Sequence, residues 1–145
     1  MAEAAAPPHW EHYSHGADVG VRGIGRTKAE AFEQAALALA AVVVDDPAKV
    51  GASRRVDVQC EAEDDGVLLV DWLNEIVYAM ASENCLFGRF HVAIDGSSLR
   101  AVALGEPVDV ARHAPAVEVK GATFTDLRVE RHPDGLWLAQ CIVDV

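Results

Sequence analysis

Basic side chains are scarce in this sequence: 12 Lys and Arg stand against 23 Asp and Glu, a formal net charge of −11 at pH 7. Nucleic acids are held largely by Lys and Arg on their phosphates, so direct binding of RNA or DNA is not expected. Cysteine is scarce as well. Cys60, Cys85 and Cys141 are odd in number, far apart and without CxxC spacing, which argues against a disulfide framework and against a zinc cluster. Each reads as a small buried hydrophobe, as suits a reducing cytosol. No run of apolar residues is long enough to span a membrane. The opening MAEAAAPPHWEH lacks a basic n-region and a long apolar stretch, so it does not read as a secretory signal. GxSxG, HExxH and P-loop motifs are all missing.

What remains is a chain of 145 residues, a size that suits one domain around one core. Residues 1–8, rich in Ala and Pro, read as a frayed leader, and residues 9–145 as a single domain. Strands are expected over His9–Ser14 and Val19–Arg26, joined by a tight connection at Gly16. Gly20, Gly23 and Gly25 crowd the second of these and suggest a bulge or a close backbone approach. Thr27 and Glu30 form a capping box ahead of a helix with Phe32, Ala36, Leu39 and Val43 on one stripe, ending near Asp45-Asp46-Pro47. Val56, Val58 and Cys60 alternate with polar residues as in a half-buried strand. The acidic turn Glu63-Asp64-Asp65 caps a second helix over Val67–Glu83, with Leu69, Trp72, Leu73, Ile76, Val77 and Met80 inward.

Phe90, Val92 and Ile94 lead into Asp95-Gly96, a hairpin signal, and Leu99–Leu104 returns. Val117–Thr123 and Leu127–Arg131 read as extended, and Leu136–Val145 as a last strand. Two helices among strands in hairpin order predict an α+β fold: a two-layer domain whose mixed, largely antiparallel sheet carries both helices on one face.

The last strand carries the most suggestive chemistry. Trp137, Ala139, Cys141, Val143 and Val145 alternate onto one face, so an apolar final residue is expected to be held in the fold. That sets the terminal carboxylate beside Asp144. Two carboxylates so close repel unless a proton or cation intervenes, and hard oxygen donors suit Ca²⁺, Mg²⁺ or Mn²⁺. A solvated strand end is the plainer alternative. Asp18, at the head of a strand after His15-Gly16-Ala17, is free to point out of the sheet; a turn aspartate binding backbone N–H groups is its alternative. The six histidines form no recognised ligand spacing and read as surface or hydrogen-bonded groups.

Ordered segments along nearly the whole chain resemble the archease family. They are His15-Gly16-Ala17-Asp18-Val19-Gly20-Val21, Gly25-Arg26-Thr27 with Glu30-Ala31-Phe32, and Leu68-Leu69-Val70-Asp71-Trp72-Leu73-Asn74-Glu75. Leu86-Phe87, Gly105-Glu106, His113, Glu118-Val119-Lys120-Gly121-Ala122-Thr123, and Ala139-Gln140 through Val143-Asp144-Val145 follow. Two positions depart from the family pattern: Gly16 stands where a Thr is usual, and Thr125 follows Phe124 where a His is often found.

The resemblance implies an accessory role without catalysis, as activator of an RtcB-type RNA ligase in tRNA splicing or RNA repair. In that family the ligase holds the active site, the Mn²⁺ and the GTP, and the archease promotes guanylylation and repeated turnover. The family's metal site maps onto Asp18, Asp144 and the carboxylate of Val145, with Ca²⁺ the expected ion and Mg²⁺ or Mn²⁺ the alternatives. Lys120 and His15 are further functional candidates by their place in the matching segments. A general chaperone or interaction module with a structural ion, and a stand-alone metal-dependent hydrolase, are competing readings.

Overall fold

The computed structural model describes residues 7–145. The first six residues of the expected leader lie outside that range.

Strands β1 (His9–His15) and β2 (Asp18–Gly25) form a hairpin whose turn uses Gly16 at φ +60°, a conformation that costs glycine little. Helix α1 (Lys28–Val43) starts as its sequence dictates. Thr27 Oγ1 accepts the Glu30 N–H at 3.1 Å, and Glu30 reaches back to the Arg26 N–H at 2.8 Å. The helix stops at Val43, ahead of a short 3-10 turn over Pro47–Lys49 that Asp46 caps.

Strand β3 (Arg54–Glu61) leads to helix α2 (Asp65–Glu83), capped by Asp64 through the Val67 N–H at 3.0 Å. Asn84, left-handed at φ 49°, ends it. Strands β4 (Cys85–Asp95) and β5 (Ser98–Pro107) form the expected hairpin. A four-residue helix α3 (Val110–His113) follows, then β6 (Gly121–Ala122), β7 (Arg128–Arg131) and β8 (Trp137–Asp144).

The α+β class is as the sequence predicts, and every strand pair is antiparallel. The strands divide, however, between two sheets. One runs β1-β2-β8, with β6 and β7 both pairing the far edge of β8; the other runs β3-β5-β4. Helix α1 packs on β2 and β8 of the first sheet and on β4 of the second, so it bridges them. Its small residues Ala31, Ala35 and Ala38 are fully buried. They meet a strand that has no side chain to offer at Gly23 or Gly25, where a Cβ would run into the α1 backbone. This is the close approach that the glycines announce.

The two helices meet at Trp72, fully buried. Its indole N–H donates to the Phe32 carbonyl at 3.0 Å, and Phe90 stands edge-on to it at 5.9 Å. The carboxylate of Glu33 accepts the Val92 N–H at 2.7 Å, which closes part of the free edge of β4.

Candidate functional site

The β2–β8 register decides what one end of the first sheet presents. Val19 faces Val143, Val21 faces Cys141 and Gly23 faces Ala139; these positions point at α1. The alternate positions, Gly20 with Ile142 and Arg22 with Gln140, point to the other face. The paired register ends at Val19–Val143, and Asp18 and Asp144 are the residues next beyond it, at the same end of the two strands.

Asp18 is half-buried and Asp144 exposed. Among the described residues, neither carboxylate accepts a hydrogen bond or joins an ion pair. Val145 is half-buried and packs against the core, as its alternation in the sequence requires. Lys120 is exposed, and its backbone N–H donates to the Asp144 carbonyl at 2.8 Å. His15, also exposed, pairs with Asp18 across the β1–β2 turn. All five candidate residues therefore stand at one end of one sheet.

Asp18 and Asp144 offer oxygen donors of the kind that a hard divalent cation takes, and neither side chain has a competing partner among the described residues. No group of three His, Cys, Asp or Glu side chains converges among the described residues. The candidate set has only two such side chains, Asp18 and Asp144.

Four residues along each strand from Asp18 and Asp144 lies a polar network, around Arg22 and Gln140, that sequence reasoning missed. Gln140 is 3% exposed, the one polar residue in the core among those described. Its carbonyl accepts from Arg22 Nε at 2.8 Å, and its amide donates to the Asp126 backbone and carboxylate at 3.2 and 3.1 Å. Arg22 also donates to Glu11 at 3.0 Å and lies over the Tyr13 ring at 4.5 Å. Tyr13, sitting in the space that Gly20 leaves, donates its hydroxyl to Asp126 at 2.9 Å.

The hydrogen bond from Arg22 holds the Glu11 carboxyl below its ordinary range. Burial, then the Asp126 carboxylate, pushes the Tyr13 phenol well up. Asp126 is left-handed at φ 51°. Thr123 and Thr125 bond Ile142 on either side, so this segment curls back along β8 and is pinned there. The sequence does hold a signal for the network: a glutamine set between Leu138 and Ile142 must bond its amide if it is buried.

Two further ties fix the segment that brings Lys120 to Asp144. Asn74 of α2 accepts the Ala122 N–H at 2.8 Å and donates back to the Ala122 carbonyl at 3.4 Å, in the manner of a neighbouring strand. Upstream, Glu106 pairs with Arg112, accepts the Gly51 N–H, and stands 3.4 Å from His113 Nε2. Nδ1 of His113 accepts the Asp109 N–H at 2.8 Å, and its Nε2 lies 3.1 Å from Arg112 Nη2. The imidazole is 4% exposed, so His113 is one of the hydrogen-bonded histidines and not a surface one.

The three cysteines are free, Cys85 and Cys141 buried and Cys60 half-buried. Burial pushes the thiols of Cys60 and Cys141 up to about 11 and about 12. No helix among the described residues is long and apolar enough to cross a membrane.

Comparison with known proteins places this geometry in context. A family described as "Archease protein family (MTH1598/TM1083)" matches residues 10–145. Among curated proteins, the chain is 43% identical over 140 residues to "Protein archease" of Pyrococcus furiosus and 44% identical to that of Thermococcus gammatolerans. Each alignment covers 94% of this chain and 98% of the relative. The solution structure of Methanobacterium thermoautotrophicum protein 1598 superimposes with a TM-score of 0.82 at 34% identity, covering 94% of this chain and 98% of that one. A crystal structure from Thermotoga maritima, described as an archease and possible chaperone, shares the fold at TM-score 0.60 and 15% identity over the full length of both chains.

Proposed function

The chain belongs to the archease family, and from that premise we propose that it is a non-catalytic, cytosolic accessory protein that binds a divalent cation and activates an RtcB-type RNA ligase. The family name points to an accessory protein over an enzyme; the ligase, the ion and the mechanism are our reading. The observation that supports it is the place of Asp18 and Asp144 next beyond the last β2–β8 couple, Val19–Val143, with the Lys120 N–H bonded to the Asp144 carbonyl.

Guanylylation of a ligase is a nucleotidyl transfer, which depends on positioning and on neutralising phosphate charge. A cation held at this site, Ca²⁺ first and Mg²⁺ or Mn²⁺ next, would supply such charge. Asp18, Asp144 and the carboxylate after Val145 would hold the ion. The bond between Arg22 and Gln140 ties β2 to β8 in the register whose last couple, Val19–Val143, adjoins those two aspartates. Lys120, tethered by its backbone to Asp144, would present a positive charge at the ligase's active-site mouth. The acidic surface, at net charge −11, favours a partner that is basic there.

The test follows guanylylation and repeated turnover of the cognate ligase with wild-type protein, Asp18→Ala, Asp144→Ala, Lys120→Ala and a chain lacking Val145. Loss of stimulation in the carboxylate variants, with the ligase still bound, is expected. Undiminished stimulation by all of them would remove the site from the account.

A general chaperone is the second reading, favoured by the description given to the Thermotoga maritima relative. It requires suppression of aggregation in unrelated clients that does not depend on Asp18.

A further inference from the structure

A groove of about 750 Å³ runs between the outer edge of α2, the end of α1 at Val43 and the segment from Pro115 to Lys120. Its floor and walls are apolar: Val77, Met80 and Ala81 on the helix, Val117 and Val119 opposite. Tyr78 at its rim is 69% exposed and Val117 is 42% exposed. Exposed apolar side chains gathered in one concavity mark a surface with a partner more often than scattered ones do.

The wall opposite α2 says what kind of partner. Pro115–Lys120 has no regular secondary structure, yet it is fixed at both ends: the Ala116 N–H donates to the Val43 carbonyl and the Lys120 N–H to the Asp144 carbonyl, each at 2.8 Å. Between those anchors the peptide groups of Val117, Glu118 and Val119 make no hydrogen bond among the described residues. Pinned backbone groups beside an apolar trough are what a partner strand can use, through main-chain bonds and alternate side chains set into the trough. A small apolar molecule would fill the space and leave those groups unpaired. Glu118 and Lys120 both line the groove and offset each other, so it is the strongly acidic character of the chain as a whole that favours a segment with basic residues.

We propose that this groove binds an extended, apolar, lysine-bearing segment of a protein partner, laid beside Val117–Val119 as an added strand. The proposal goes beyond the ligase reading and does not depend on which protein supplies the segment.

The probe is a short synthetic peptide of alternating valine and threonine with a lysine at each end. A second copy carries N-methyl groups on alternate peptide nitrogens, so that it cannot donate to a neighbouring strand. Each is titrated into the isotope-labelled full chain and followed by amide NMR and hydrogen exchange. Saturable shifts of the Val117, Glu118 and Val119 amides are expected, with exchange there slowed at least tenfold, no response to the methylated peptide, and loss of binding in Ala81→Arg. Ala81 is exposed, so that variant should keep its fold, which circular dichroism checks. Unmoved amides at millimolar peptide, shifts confined to another face, or equal binding of the methylated peptide would each overturn the proposal.

Discussion

Placing a methyl group at Gly23 tests how the sheet that bears the carboxylates is held. Gly23 lies in mid-strand, opposite Ala139, directly under α1. A Cβ there would stand 2.9 Å from the Gln34 carbonyl carbon and closer still to the Ala31 oxygen and Ala35 nitrogen, all backbone atoms of one helix. Carbon contacts are comfortable at about 3.5–4.0 Å, so α1 would have to retreat by roughly 1 Å. A gap of that size forfeits a quarter to a half of each contact's attraction along the interface. The helix buries Ala31, Phe32, Ala35, Ala36, Ala38 and Leu39 completely, so the loss is spread over its main anchors.

Full burial of one large apolar side chain is worth about 1.5–3 kcal/mol, and overpacking generally costs about 1–3 kcal/mol. A loss near the top of that range, about 3 kcal/mol, is expected for Gly23→Ala, roughly 150-fold in the unfolding equilibrium. Urea denaturation should show the midpoint falling by roughly 1.5 M for an ordinary slope. Gly96→Ala is the control. Gly96 has φ +60° and nothing within 4 Å of an added Cβ, so only the left-handed backbone is penalised, at about 1–2 kcal/mol. If Gly23→Ala proved no more damaging than Gly96→Ala, the claim that backbone contact fixes α1 on β2 would be wrong.

Gln140→Ala removes the amide that joins Arg22 to Asp126; about 1–3 kcal/mol of stability should go with it, and limited proteolysis should begin to cut between Thr123 and Leu127. The depressed Glu11 carboxyl adds stability above its unfolded range near pH 4.5 and loses it as pH falls through the lower folded value. Thermal scans from pH 6 to pH 3 should thus show a steeper loss for wild type than for Arg22→Ala, and parallel curves would contradict the pairing. With Cys141 held up to about 12 by burial, alkylation at pH 8 should spare it in the native protein and reach it in urea; rapid native labelling would mean that the strand opens.

The elements whose cause is local could be read from the sequence. Thr27 and Glu30, or Asp64 ahead of an apolar stripe, announce a helix through bonds made within one turn. Pairing between distant segments could not. Nothing in the alternation of β2 or β8 says that they are neighbours across more than a hundred residues, so the division into two sheets stayed hidden. Val117–Thr123 reads as a strand, but only Gly121 and Ala122 form one. Partner strand β8 ends at Asp144, leaving nothing for residues before Lys120 to pair with, and Asn74 occupies the outer edge at Ala122. Helix α3 has four residues and no buried one, too little for any periodicity. The carboxylates at Asp18 and Asp144 were visible as candidates because strand ends and paired acids are sequence features; the clamp of Tyr13, Arg22, Gln140 and Asp126 beside them needs the register.

Strand β8 follows all the other described strands in the sequence and yet it is the middle of its sheet, with β2 on one side and β6 and β7 on the other. A growing polypeptide on the ribosome can complete the β3-β5-β4 sheet from three strands that follow one another in the sequence, but the first sheet has no centre until residue 144 has left the exit tunnel. Stalled chains ending before residue 137 would keep β1 and β2 as a hairpin under α1, its inner edge open to chaperones and proteases.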